Sequence, residues 1–400
     1  MPIPTPFHER TLPLCTSYRW KDWAGYCAVC SFDTSHEREY FAFRESAGLL
    51  DVTPLYKYEV SGPDAAALLG RMMVRDVTKL KVGRVAYSCW CDDDGKVIDD
   101  GTVSRLAEDH FRVTAADPTL HWLDALSRGL DVQIEDSSAL LAALALQGPT
   151  SRAILRDVGV EGIDGLKFFG ITRAAIQGIP VWISRTGYTG DLGYEVWVQR
   201  EAAVAVWDAL MAAGERHGIE PAGLDALDMV RIEAGFVLLG VDYFSSQKVV
   251  LESRKSTPLE LGFGWMVDLD RDRRGNFIGR DAIAAEQKRG SVWQLVGLEV
   301  SWVELEQLYG SFNLPPSLPP TARRDALPVY DAEGQQVGQA TSHTWSPLLK
   351  KYLALASVRR GHEAKGMKLQ IEHTVEYERR KVTATVAPLP FFDPERKRKP

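Results

Sequence analysis

Alternation and runs of apolar residues divide the chain into short elements before any chemistry is considered. Tyr194-Glu195-Val196-Trp197-Val198 is β-branched and aromatic and predicts a strand, entered through the glycine- and threonine-rich stretch RTGYTGDLG at 185–193. Residues 87–105 predict a hairpin, with AYSCWC as one strand, Asp92-Asp93-Asp94-Gly95 as the turn and KVIDDGTVSRL as the return. Thr34-Ser35-His36-Glu37 has capping-box spacing and predicts a helix that ends at Gly48. Tyr58-Glu59-Val60-Ser61 leads through Gly62-Pro63-Asp64 into a short apolar helix at 65–69. Helical periodicity over 199–217 places Val204, Trp207, Leu210 and Met211 on one face, with Gly218 as the cap, and 224–239 predicts a further helix. Residues 240–258 form a long polar loop. The proline-rich NLPPSLPPTARRD at 313–325 marks a linker or surface excursion. After it, LPVYD, QQVGQATS, YLALASV, KLQIEH and KVTATVAPL predict a small β-barrel or sandwich. No repeat of fixed period is present.

Composition narrows the class. Four hundred residues with 45% apolar content can bury a large core and predict two or three domains. A net charge of -7 gives no overall field favouring nucleic acid. The basic run Arg396-Lys397-Arg398-Lys399 reads as a solvated tail. MPIPTPFHER lacks the features of a signal peptide, and no apolar stretch is of membrane-spanning length, so a cytoplasmic protein without membrane or nucleic-acid partners is expected. Cys15, Cys27, Cys30, Cys89 and Cys91 are expected as free thiols. Two of the pairs could in principle bind zinc, but the Cys89/Cys91 spacing is too tight for a usual knuckle, and no metal is expected.

Common catalytic signatures are absent: there is no G-x-S-x-G elbow, Walker A loop or H-E-x-x-H. Glu195 therefore has two readings. It is a surface acid on a half-exposed strand, or a carboxylate that accepts two parallel N–H bonds from a flat amidine-like edge, with the glycines admitting the ring. Asp99 and Asp100 alternate along a strand and point to opposite faces. Both could be solvated acids; a carboxylate beside a reacting amine could instead stabilise positive charge or take up a proton.

SRTGYTGDLGYEVWV is similar to the signature of the glycine-cleavage T-protein (aminomethyltransferase) superfamily. FRESAGLLDVTPLYKYEVSGPDA, AYSCWCDDDGKVIDDGTV, LQGPTSRAIL, EPAGLDALDMVRIEAGFVLLGVD, ELGFGWMVDLD and GQATSHTWSPLLKKYLALA resemble further blocks in the family's order, from about residue 40 to 358. The resemblance implies an α+β fold, a three-lobed cloverleaf around a central folate channel, with a C-terminal β-barrel lobe. The expected folate-binding region is 1–285, in two interleaved lobes of about 1–51 with 140–225 and 52–139 with 226–285. A barrel follows at 290–388 and a basic tail at 389–400. By the same resemblance, tetrahydrofolate is the expected cofactor. Glu195 would hold its pterin edge and Asp100 would be the catalytic acid or base. Tyr188, Tyr87, Leu55, Thr114, Phe169 and Phe236 would line the cavity.

Several positions depart from the family pattern. DVSHMG becomes Asp51-Val52-Thr53-Pro54-Leu55-Tyr56, the arginine of PAGLGARD becomes Leu227, and the asparagine of VVNAAN becomes Thr114. Phe169 and Phe236 replace tyrosines, and the 242–258 segment is longer and lacks ENTNP. The folate end is kept and the donor end rebuilt, with Tyr56, Leu227, Tyr243 and Lys248 as candidate substrate contacts. The expected function is a tetrahydrofolate-dependent demethylase that takes a methyl group from a small O-, N- or S-methylated donor. The alternatives are the T-protein itself, served by a lipoylated carrier and disfavoured by the lost arginine and histidine, and a non-catalytic folate-binding regulator.

Overall fold

The run LAALALQ, Leu141–Gln147, is buried at every position, as a central strand covered on both faces must be. It lies inside a six-stranded sheet ordered Ile171–Ile176, Ile179–Ser184, Gly193–Gln199, Leu141–Gln147, Ala47–Asp51, Ile219–Pro221. The structure, a computed structural model, describes residues 1–319 and 321–399; Pro320 of the predicted linker and Pro400 of the predicted tail lie outside the described residues. Helices Ser151–Asp157 and Ala203–Gly214 cover one face of this sheet with Leu155, Val206, Trp207 and Leu210. The strand runs on to Gln199 and a 3-10 turn intervenes, so the helix starts at Ala203, later than predicted. Val206 therefore takes the buried position expected of Val204, while Trp207 and Leu210 are buried and Met211 is half-buried.

A second sheet has five strands in the order Arg84–Cys91, Val97–Ala107, His110–Ala115, Tyr56–Ser61, Gln133–Asp136. Its outer face packs Tyr58, Val60, Trp90, Phe111 and Val113 against Leu68 and Leu69 of helix Ala65–Met72. The predicted hairpin is present: Asp92 Oδ1 accepts from the amides of Asp94 (3.1 Å) and Lys96 (2.9 Å), and Gly95 takes φ 72°. The third unit is a closed six-stranded barrel: Trp293–Val300, Lys351–Arg359, Gln336–Ser346, Leu327–Tyr330, Lys368–Val375, Glu378–Ala387. It includes a helix, Trp302–Ser311, that the periodicity missed although Ser301-x-x-Glu304 has capping-box spacing. Strands Ile3–Pro4, Arg19–Trp23 and Tyr26–Ser31 form a small separate sheet.

Several expectations are corrected. The predicted 34–48 helix is Glu37–Glu45, and Gly48 already belongs to a strand. The predicted 224–239 helix is Leu224–Glu233; Gly235, at φ 70°, turns the chain out of it. The 313–325 segment is docked at its end, where Arg324 Nε donates to Asp228 at 2.7 Å. The basic run is not a solvated tail. Arg396 forks onto buried Asp191 with two 2.7 Å bonds, and the carbonyls of Arg396, Lys397 and Lys399 accept from Arg185. Opposite charge and a row of unspent carbonyls outweigh the solvation expected from composition alone.

A buried ion pair joins the first sheet's lobe, the helix Leu224–Glu233 and the barrel. Arg44 donates from Nε and Nη2 to Glu233 Oε2 at 2.8 and 2.6 Å, and neither side chain is exposed. Glu233 Oε1 also accepts from Tyr40 (2.5 Å) and from the barrel's Ser346 (2.6 Å), while its carbonyl accepts from Phe392 of the tail. Removing one partner of such a pair strands the other charge in the interior. Glu233→Ala is expected to lower unfolding free energy by about 3–5 kcal/mol in urea titrations. A loss below about 1 kcal/mol would show that the pair is dispensable.

Candidate active site

The glycines of RTGYTGDLG make room for a protein side chain. Gln147 ends the central strand and inserts its amide into the loop, where Nε2 donates to the carbonyls of Thr186 and Tyr194 (both 3.1 Å) and Oε1 accepts from Thr189 at 2.9 Å. A Cβ on Gly187 or Gly193 would fall 1.9 or 2.0 Å from Gln147 Oε1. The expectation that these glycines admit a ligand ring is therefore corrected for Gly187 and Gly193, which admit Gln147.

This loop delivers Glu195 to the sheet face opposite the helices, level with Ala145 and Ser184. Oε2 accepts from Thr186 at 2.6 Å and Ser184 at 3.3 Å. Oε1 has no partner among the described residues. Burial raises the pKa of the carboxyl, and the two hydroxyls partly offset this. Tyr188 in the same loop donates to the carbonyl of Val237 and stacks on Phe236 at 5.4 Å. Lys397 of the tail lies over the other ring, 5.2 Å from its centroid.

The second sheet faces this surface. Its pairing register places Tyr87, Asp100, Thr102, Thr114, Arg112, Lys57 and Glu59 on one face, since directly opposed residues share a face. Asp100 is held at both oxygens, with Tyr87 donating to Oδ2 at 2.7 Å and Tyr243 donating to Oδ1. Burial raises the Asp100 pKa while the two phenols pull it down. Tyr243 comes from the 240–258 loop, which is stitched to the Asp100 strand: Ser246 N donates to Val97 O and Val97 N to Ser256 O, each at 2.9 Å. Asp242 anchors the loop from behind, accepting from Arg231 (2.6 Å), Thr341 (2.6 Å) and Ser342 (2.6 Å). Burial, with the Asp100 carboxylate adding to it, raises the pKa of the Tyr188 phenol, so the two faces meet here.

Asp99 points to the opposite face but is not a solvated acid. It is fully buried and accepts from the amides of Asp100 (2.8 Å), Ala116 (3.0 Å) and Asp117 (2.9 Å). The other candidates spread out. Thr114 bonds Thr102 at 2.7 Å beside the Asp100 row. Leu55 and Leu227 pack into one apolar cluster with Val230. Phe169, at φ 55°, packs with Val85, Leu106, Ile171 and Trp182. Lys248 is exposed and pairs with Asp117 at 2.6 Å, near Tyr56. Phe263, edge-on to Tyr87 at 5.7 Å, and Gln147 were not among the candidates. LQGPTS contained Gln147, yet nothing local marked its insertion.

Comparison with known proteins assigns this arrangement. Residues 14–271 match the GCVT N-terminal domain model and 313–393 the glycine cleavage T-protein C-terminal barrel domain. The chain belongs to the T-protein family. Over 376 residues, 93% of this T-protein family chain and 94% of its relative, it is 34% identical to an aminomethyltransferase of a Geobacillus species. It is 35% identical over 406 residues to a trimethylamine-oxide aldolase of Ruegeria pomeroyi, covering 98% of this chain but only 47% of that protein. It therefore spans about half the aldolase's length. The aminomethyltransferase T of the Bartonella henselae glycine cleavage system shares the fold, with TM-score 0.83 at 24% identity over 98% of this chain and 99% of that one. The cloverleaf with its barrel is thus the T-protein fold. No helix is long and apolar enough to cross a membrane among the described residues. The cysteines are unbridged, and Cys27 and Cys30 lie in a different sheet from Cys89 and Cys91.

In this T-protein family chain the 53–55 turn, whose Leu55 packs against the apolar cluster that holds Val230, rests on Lys57. Its fully buried ammonium donates to the carbonyls of Thr53 (2.6 Å) and Leu55 (2.7 Å). Burial pushes Lys57 down to about 7, partly opposed by Asp51. An unfolded lysine titrates near 10.4, so between about pH 7 and 10 the unfolded chain binds more protons. Stability from this group is present at high pH and is lost as pH falls towards 7. The urea midpoint of the wild type is expected to rise from pH 7 to 9.5, and Lys57→Met to flatten that slope. Equal slopes in the two proteins would contradict the assignment.

Proposed function

We propose that the chain is a tetrahydrofolate-dependent one-carbon transferase that takes a methyl group from a small O-, N- or S-methylated donor in the cytoplasm. The observation that carries this reading is the carboxylate of Asp100, fixed at both oxygens by Tyr87 and Tyr243 and facing the surface that bears Glu195. Glu195 fits the pterin edge of the folate: its free Oε1 and hydroxyl-braced Oε2 form a carboxylate able to take two N–H donors side by side. Folate supplies the accepting nitrogen. With folate bound, Asp100 would stabilise the positive charge that develops on that nitrogen as it bonds to the methyl and the donor's bond to the methyl breaks, and, as a buried carboxylate of raised pKa, would take up the nitrogen's proton. The two phenols keep it from turning away.

The donor end favours a small molecule over a lipoylated carrier. Leu227 and Leu55 present an apolar contact where the family has an arginine and the DVSHMG turn. Relatives named aminomethyltransferase and trimethylamine-oxide aldolase both handle one-carbon units bound to nitrogen, which agrees with such a donor. A panel of methoxyaromatics, methylated amines and sulfonium compounds with tetrahydrofolate should reveal one efficient donor. A lipoylated aminomethyl protein turned over as fast as the best of them would return the chain to the T-protein reaction. In calorimetry Glu195→Gln should weaken tetrahydrofolate binding ten-fold or more, since a charged acceptor is worth about 1.5–3 kcal/mol.

Asp100→Asn should cut turnover by at least about a hundredfold with tetrahydrofolate affinity near wild type, the pattern of an interaction made mainly in the transition state. Asp99→Asn should instead lower the melting temperature, because an amide has one acceptor oxygen for three backbone N–H groups that now share two and sets an N–H against at least one of them, while turnover per folded molecule changes only a few-fold. Matching kinetic losses in the two variants would remove Asp100 from its assigned role.

A further inference from the structure

A cavity of about 400 Å³ opens between the two large sheets, lined from the second sheet by Glu59, His110, Arg112 and Glu135 and from the first by Arg173 and Trp182. Neither Asp100 nor Glu195 lines it, so it is separate from the candidate active site. It is cut from the same two surfaces. Arg112 lies two residues before Thr114 on its strand, and Trp182 two before Ser184, a donor to Glu195.

Arg112 is the feature that calls for a ligand. Its side chain is 6% exposed, and among the described residues only Nε is used, donating to Glu59 Oε1 at 2.6 Å. Nη1 is enclosed and has no acceptor among the described residues. The guanidinium lies 5.7 Å from the ring centroid of Trp197 on the facing sheet, which holds its plane across the gap. Glu59 does not reach Nη1; its oxygens are engaged by Arg112 Nε, by His110 Nε2 at 2.7 Å and by the Ser137 hydroxyl at 3.4 Å. A buried charged donor left unpaired is costly, and the guanidinium fork matches a carboxylate. One part of the wall is flat and apolar: Trp182, held under Arg173 at 5.1 Å, with Leu106 and Leu141. A space of this size is at the lower end of small-molecule sites, about 300–1,000 Å³. Glu59 and Glu135 on the same wall oppose a doubly charged oxyanion.

We infer that this interlobe cavity is a second ligand site, which takes a small monocarboxylate with a flat apolar body, its carboxylate on Arg112 and its body against Trp182. The site needs no folate and does not depend on the function proposed above.

The full chain is titrated calorimetrically with benzoate and with its neutral isostere benzamide. Benzoate should bind saturably at one site and benzamide at least ten-fold more weakly. Arg112→Lys keeps a charge for Glu59 but loses the fork, and should weaken benzoate ten-fold or more. Because Arg112 also braces the sheet, the location is tested independently by Ala107→Trp, which fills the cavity from an exposed position without replacing any member of the Glu59 ion pairs. That variant should melt like wild type and lose benzoate binding. Equal binding of benzoate and benzamide, or wild-type benzoate affinity in Ala107→Trp, overturns the proposal. Glu195→Gln should leave benzoate affinity unchanged, which separates this site from the folate reading; a matching loss there would place benzoate in the folate site and also overturn it.

Discussion

Two charges without exposed surface, Arg44 and Glu233, sit where the first sheet's lobe, the helix Leu224–Glu233, the barrel and the C-terminal tail converge. Desolvating such a pair costs several kcal/mol per ion, repaid only when the remaining lone pairs and protons are also satisfied. Here they are: Tyr40, Ser346 and the carbonyls of Thr189 and Val230 complete the set. Those partners come from parts of the chain far apart in sequence, so the pair can be satisfied only when the first sheet's lobe, the helix Leu224–Glu233 and the barrel have docked together. It therefore acts on specificity of assembly more than on the sum of contacts.

The candidate site inherits this rigidity. The helix that ends in Glu233 also carries Arg231, and Arg231 holds Asp242, the residue before Tyr243. One end of that chain of bonds is a structural ion pair and the other is a phenol on Asp100. The site is thus assembled from two rigid faces and one pinned loop. The adjacent acids Asp99 and Asp100 differ in their surroundings: backbone amides surround the first, phenols and the interlobe space the second.

What could be read along the chain was what is decided locally. The hairpin turn at Asp92–Gly95 needs an aspartate acceptor and one glycine at positive φ, and both are adjacent in sequence. The barrel strands alternate, and the family blocks carried the fold as a whole. Elements settled by distant partners were not legible. Nothing near Tyr243 announces that its loop will be stitched to Val97. The basic tail looked solvated because the acid that anchors it, Asp191, lies some two hundred residues earlier. Gly235 ended a helix whose apolar pattern continued past it, since a positive φ overrides periodicity.

Gln147, Gly187 and Gly193 are bound to one another in a way that reaches beyond this single chain. The amide fills the space two absent side chains leave, and it is repaid by hydrogen bonds to the loop it enters. None of the three can drift alone. A mutation at either glycine meets the amide, and shortening the amide empties a polar hole. Across descendants of this sequence the three positions should behave as one heritable unit, exchanged together or kept together, even though two of them carry no side chain for selection to act on.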